Sequence, residues 1–265
     1  MSSEPAPDPL AEAEELLDAG DLVGALRRVE ELDPAEPQRW LLAAEAWTDL
    51  GELANAEAAL ARAAELGDEG SWWTFLRGRW LLASWRAEEA RATLERLDPA
   101  VEGPSLLELL ALAADLQGDH EAADRFFQAA SALDPDAVPP PPRLSPEAFH
   151  ARIRTAAEDL PPEFRAALEE TAVVLDPMPT AALVQAPESG HPPDLLGLFV
   201  GPTLHEREAS SGGELPPTIY LFQRNLERLA RDEEELTQEI RVTLYHELGH
   251  ALGFDEDGVD ALGLA

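Results

Sequence analysis

Two kinds of hydrophobic pattern divide the chain. Up to about residue 135, apolar positions recur at helical spacing in segments that end alike: Glu31-Leu32-Asp33-Pro34, Glu65-Leu66-Gly67-Asp68, Arg96-Leu97-Asp98-Pro99 and Ala132-Leu133-Asp134-Pro135. The closing leucines lie 34, 31 and 36 residues apart, which is the length of a helix-turn-helix repeat. Beyond Pro139 to Pro142 the pattern changes. Ser145-Pro146 is an N-cap followed by a proline suited to the first helical position, and predicts a helix to about Leu160. Pro161-Pro162-Glu163-Phe164 starts a short helix to about Glu170. Thr171–Leu175, Leu195–Val200 and Thr218–Gln223 read as strands, with a loop at Ser210–Gly213. Asp232 to Glu235 has the spacing of a capping box and opens a long helix reaching about Leu252.

The Pro run cannot donate backbone hydrogen bonds and favours stiff polyproline II, so the expected organisation is a helical domain over 8–135, a Pro-rich linker over 136–144 and an α+β domain over 145–265. All six Trp precede the run, and the β-branched strand segments follow it. In the second helical unit Leu50-Gly51 precedes Ala56 and Leu66 by the same intervals at which Gly118 precedes Ala123 and Leu133 in the fourth. Small residues at these places let two antiparallel helices approach closely. The region resembles tetratricopeptide repeats, with shortened second helices in units one and three. That resemblance implies an all-α hairpin array whose concave face binds a peptide or partner protein. Trp72, Trp73, Trp80 and Trp85 are expected in the inter-helix core, a peptide-anchoring groove being the alternative. His120 is expected as an exposed turn residue.

Composition narrows the chemistry. The 265 residues contain no Cys, which excludes a disulfide framework, a thiolate metal site and a cysteine nucleophile. With 53 acids against 19 bases, the net charge of −34 would repel a phosphate backbone, so nucleic acid is excluded as a partner. The opening residues lack a basic and apolar leader, and the most apolar run, Leu106 to Ala114, is interrupted by Glu108, so a cytoplasmic protein without membrane association is expected.

The long final helix carries His246-Glu247-Leu248-Gly249-His250. Two histidines four residues apart project from one helix face and can meet one Zn²⁺, with Glu247 beside them as a general base. Gly253 can end the helix in a left-handed conformation and turn the chain back. Only 15 residues follow His250 and Met1 and Met178 are the only methionines, so neither a further helix bearing a distant Glu ligand nor a Met-containing turn after the motif is expected. A third protein ligand must come from this tail or from upstream. Glu256, ten residues after His246, holds the place of the third ligand in extended motifs, with Asp255, Asp257 and Asp260 as rivals.

Together with Leu160–Arg165, Thr171–Leu175, Leu195–Phe199 and Leu215–Phe222, this motif makes residues 145–265 resemble the minimal zincin-like metallopeptidases of bacteria. The resemblance implies a small α+β zincin with a short sheet beside the active-site helix, zinc as cofactor and an acidic third ligand just past the Gly. Glu256 stands where that family typically has Asp, and Ala251 where it often has His.

The function expected from these features is zinc-dependent peptide hydrolysis with Glu247 as base, the repeat array recruiting the substrate or a partner. An interaction scaffold carrying an inactive zincin-like domain is the alternative, and a hydrolase of non-peptide amides a third reading. Thr218–Gln223 is the expected edge strand for an extended substrate. Tyr220, Tyr245 and His205 are expected in structural roles rather than at an oxyanion, Arg224 and Arg241 in ion pairs, and His150 and His191 in solvent.

Overall fold

The computed structural model describes residues 8–186, 189–203, 206, 216–255 and 258–259. The chain divides into two compact units, Met1–Leu133 with Gln185–Pro193, and Asp134–Val184 with Asp194–Ala265. The Pro run, expected as a separate spacer, groups with the second unit, and a nine-residue excursion from the second half groups with the first. Among the described residues no helix is long and apolar enough to cross a membrane.

The first unit is a series of sequential helix pairs: α1 (Pro9–Asp18) with α2 (Leu22–Glu31), α3 (Pro37–Asp49) with α4 (Leu53–Glu65), α5 (Ser71–Ala83) with α6 (Ala87–Leu94), and, after the single turn α7 (Pro99–Glu102), α8 (Pro104–Leu116) with α9 (His120–Leu133). Starts are set locally: Asp8, Asp21 and Asp98 accept backbone N–H groups as N-caps, and Pro occupies the first helical turn of α1, α3, α7 and α8. Buried Ala13, Ala25, Ala44, Ala56, Ala90 and Ala123 keep the paired helices close. The second helices of the first and third pairs have 10 and 8 residues, against 13 and 14 in the second and fourth.

Each pair turns through one left-handed residue two positions past its first helix. Gly20, Gly51 and Gly118 hold that place with φ of +77°, +74° and +75°. In the third pair the residue is Trp85 at φ +59°, a conformation that costs a bulky L-residue roughly 1–2 kcal/mol. The indole is anchored, its Nε1–H donating to the carbonyl of His191 at 3.0 Å. The docked excursion itself begins with Gln185 at φ +56°, the other non-glycine residue with positive φ among those described. Trp80 is a core residue, 4% exposed, with its Nε1–H donating to Leu53 O. His120 departs from the expected free turn: it begins α9, and its Nδ1 lies 2.9 Å from the carboxylate of buried Asp115.

In the second unit, Glu227 is fully buried and accepts from Arg143 Nη1 at 2.9 Å, the backbone N–H of Leu144 at 3.0 Å and Gln223 Nε2 at 2.7 Å, which fastens the end of the Pro-rich segment. There follow α10 (Pro146–Glu158), α11 (Pro162–Glu169), β1 (Ala172–Asp176), α12 (Ala181–Val184), β2 (Gly197–Val200), β3 (Thr218–Phe222), α13 (Gln223–Leu229) and α14 (Glu233–Leu252). Asp232 caps α14 by accepting from Glu234 and Glu235 N–H, while Glu235 reaches back to Arg231 N–H, one residue before the position a capping box would use.

The sheet order is β1-β3-β2, with β1 parallel and β2 antiparallel to β3. This corrects the expectation for Thr218–Gln223: β3 is the central strand, with Ile219 and Leu221 fully buried, and among the described residues the edges are β1 and β2. Phe149, Phe164, Leu236, Ile240 and Leu244 from the surrounding helices close the core over the sheet.

Candidate metal centre

Helix α14 presents His246 and His250 one turn apart, and their Nε2 atoms approach to 3.1 Å with the rings at 77° to one another. The orientation of His250 is set by the helix end. Gly253 adopts φ +95° and ψ +14°, its N–H bonds to His250 O, and Phe254 N–H bonds to Gly249 O, the double closure of a Schellman motif. The turn brings Phe254 O within 3.1 Å of His250 Nδ1, which donates to it and leaves the Nε2 lone pair directed at His246.

The chain then folds back onto the helix. Asp255 starts a new turn, its Oδ1 accepting from Gly258 N–H and its carbonyl from Val259 N–H, both at 2.9 Å. Val259 is fully buried, and a Cβ on Gly249 would lie 2.8 Å from its Cγ2. The glycine inside the motif is therefore what admits the returning segment. An isolated glycine within a helix pattern was the signal for this role, and the motif's spacing alone did not expose it.

Glu247 is 7% exposed, and its Oε2 accepts from the backbone N–H of Phe199 on β2 at 2.7 Å. A carboxylate held this far from water needs such a partner. Gly197 makes the approach possible, since a Cβ there would stand 2.6 Å from Thr243 Cγ2 and 3.0 Å from Glu247 Cγ. The sequence placed Gly197 and Phe199 in a strand and gave neither a role at the site. A glycine interrupting an apolar strand run is the cue that could have raised the first.

The donor set fits zinc. Tetrahedral Zn²⁺ at ~2.0–2.1 Å from two imidazole nitrogens holds them about 3.3 Å apart, close to the spacing here, and the Phe254 carbonyl on His250 Nδ1 fixes the tautomer that a metal requires. Among the described residues no group of three potential ligands assembles. Glu256, Asp257 and Asp260 lie outside the described residues, as does His205. Asp255 is a turn cap. Tyr245 stacks on Phe164 at 4.0 Å, 9% exposed, and Arg241 lies 3.7 Å from Asp159.

Residues 168–264 match the model of a family described as zincin-like metallopeptidase. The matched stretch begins in α11 and takes in all three strands and α14, so the resemblance expected over 145–265 is found for the greater part of that region. No curated protein matches the chain.

Proposed function

We propose that the chain is a zinc-dependent peptidase whose helical array, read as tetratricopeptide-like, recruits a peptide, protein substrate or partner. The observation that carries this reading is the convergence of His246 Nε2 and His250 Nε2 at 3.1 Å beside a buried Glu247 held by an edge strand. A site serving only to bind metal structurally would have no need of that carboxylate. His246 and His250 are two of the ligands, and Glu256, delivered by the return after Gly253, is proposed as the third.

Zinc bound there would supply a Lewis acid and a water of lowered pKa. The remaining work falls to the chain. With Oε2 occupied by Phe199 N–H, Oε1 of Glu247 takes the proton of the attacking water and passes it to the leaving amine. Strand β2 replaces β3 as the substrate edge. Phe222 N–H bonds to Leu196 O, so by antiparallel alternation Leu196, Leu198 and Val200 face β3, and the carbonyls of Gly197 and Phe199 face outward to accept N–H groups of an extended peptide.

The test is hydrolysis of a peptide library by the whole chain, with metal content measured on protein purified without added metal. Cleavage abolished by chelator and restored by zinc is expected. Glu247→Gln should retain zinc and fold while losing at least about a hundredfold in rate, the usual contribution of general base catalysis. A Gln variant as fast as the wild type would refute the mechanism, and absence of bound transition metal after zinc reconstitution would refute the site.

A further inference from the structure

We infer that the outward-facing peptide N–H of Phe199 is the positioning group for the Glu247 carboxylate, and that Gly197 is the residue that lets β2 come close enough to deliver it. The inference rests on the peptidase reading for its kinetic consequence, and on geometry alone for the contact.

Sheet parity makes the argument. Just before β3, Pro217 O accepts from Ala172 N–H on the β1 side, while at the end of β3 Phe222 N–H donates to Leu196 O on the β2 side. The register pairs Leu198 with Tyr220 and Phe199 with Ile219, so Phe199 belongs to the set whose main-chain groups turn away from β3. An edge donor of this kind normally goes to water or to another strand. Here it meets a carboxylate oxygen at 2.7 Å, the length of a charge-assisted bond.

The contact exists because two strand positions cooperate. Gly197 and Phe199 lie on the same face, two residues apart, and the missing side chain at 197 makes room for Thr243 and Glu247 of α14 to pass at contact distance. Alanine at 197 would meet Thr243 Cγ2 at 2.6 Å and Glu247 Oε1 at 3.1 Å, so strand and helix would have to separate. With one oxygen pinned by a rigid main-chain donor, the other keeps a fixed direction. A flexible Glu side chain alone would not provide that.

The first experiment needs no turnover. Amide hydrogen exchange of Phe199 in the intact chain is compared with Glu247→Ala, with Leu198, bonded to β3, as internal reference. Exchange at Phe199 should accelerate at least about tenfold, the worth of a hydrogen bond to a charged acceptor, while Leu198 stays unchanged. Gly197→Ala should likewise expose Phe199, and adding Thr243→Ser, which removes the obstructing methyl, should restore part of the protection. The second experiment replaces Phe199 by its α-hydroxy acid, which exchanges the N–H for an ester oxygen and keeps the side chain. The expected result is kcat lowered about tenfold or more, with KM and zinc affinity within about twofold of wild type. Unchanged exchange at Phe199 in Glu247→Ala, or unchanged kcat in the ester, overturns the inference. A wild-type chain that cleaves nothing removes the peptidase reading instead, and the exchange arm still decides the positioning role.

Discussion

Gly249→Ala sets a local gain against a tertiary loss. In the interior of a helix the substitution is favourable by about 1 kcal/mol. The new Cβ, however, would stand 2.8 Å from Cγ2 of Val259, roughly 1 Å inside ordinary contact, and overpacking of this kind costs about 1–3 kcal/mol. The cheaper relief is movement of the return, which is held by the Asp255 turn and by burial of one valine, rather than distortion of a 20-residue helix. Global stability should therefore change by less than about 1 kcal/mol, the two terms nearly cancelling. The proposed zinc affinity should not escape, because the same return supplies Phe254 O to His250 Nδ1. Loss of the hydrogen-bond partner that orients a metal-binding imidazole typically weakens metal binding ~10–100-fold. Competition titration against a chromophoric chelator measures the affinity, and urea denaturation the stability. The double variant Gly249→Ala/Val259→Ala removes the clash and should recover much of the affinity. If Gly249→Ala binds zinc as tightly as wild type and is about 1 kcal/mol more stable, the packing argument fails.

Two further outcomes follow from one buried and one half-buried carboxylate. Glu227→Ala should destabilise the chain by about 3–5 kcal/mol in urea denaturation, because Arg143, the Leu144 amide and Gln223 lose their shared acceptor in a buried site; a loss under about 1 kcal/mol would contradict this. Burial pushes the Glu45 carboxyl above its ordinary value, opposed by Arg79 and reinforced by Asp49. The folded state thus holds that proton more tightly than the unfolded one, and the associated stability is complete below the ordinary carboxylate range and lost as pH rises through the raised value. Glu45→Gln should raise Tm at neutral pH, with the difference fading toward about pH 3, and a difference that persists in acid would refute the assignment.

What the sequence determined by itself is whatever is written within a few residues. The helix starts at Ser145-Pro146 and Asp232, the left-handed end at Gly253 and the i, i+4 pairing of His246 with His250 depend only on local backbone geometry, and each is found where the pattern put it. Period and small residues likewise announced sequential helix pairs, including the short α2 and α6. The short helices α12 and α13 went unread, having too few turns to show a period. Strand order was invisible because Thr218–Phe222 looks the same as an edge or a centre until its neighbours are known, and burial of Ile219 and Leu221 from both sides put it in the middle. The docking of Gln185–Pro193 under Trp85 depends on contacts across about a hundred positions, and no local rule would choose Trp for a left-handed turn. The bond from Phe199 to Glu247 spans 48 residues. The motif singled out Glu247 as the proposed base, and only the packing of β2 against α14 through a glycine decided how its carboxylate is held, since both its hydrogen-bond donor and the space it occupies come from a strand the helix does not encode.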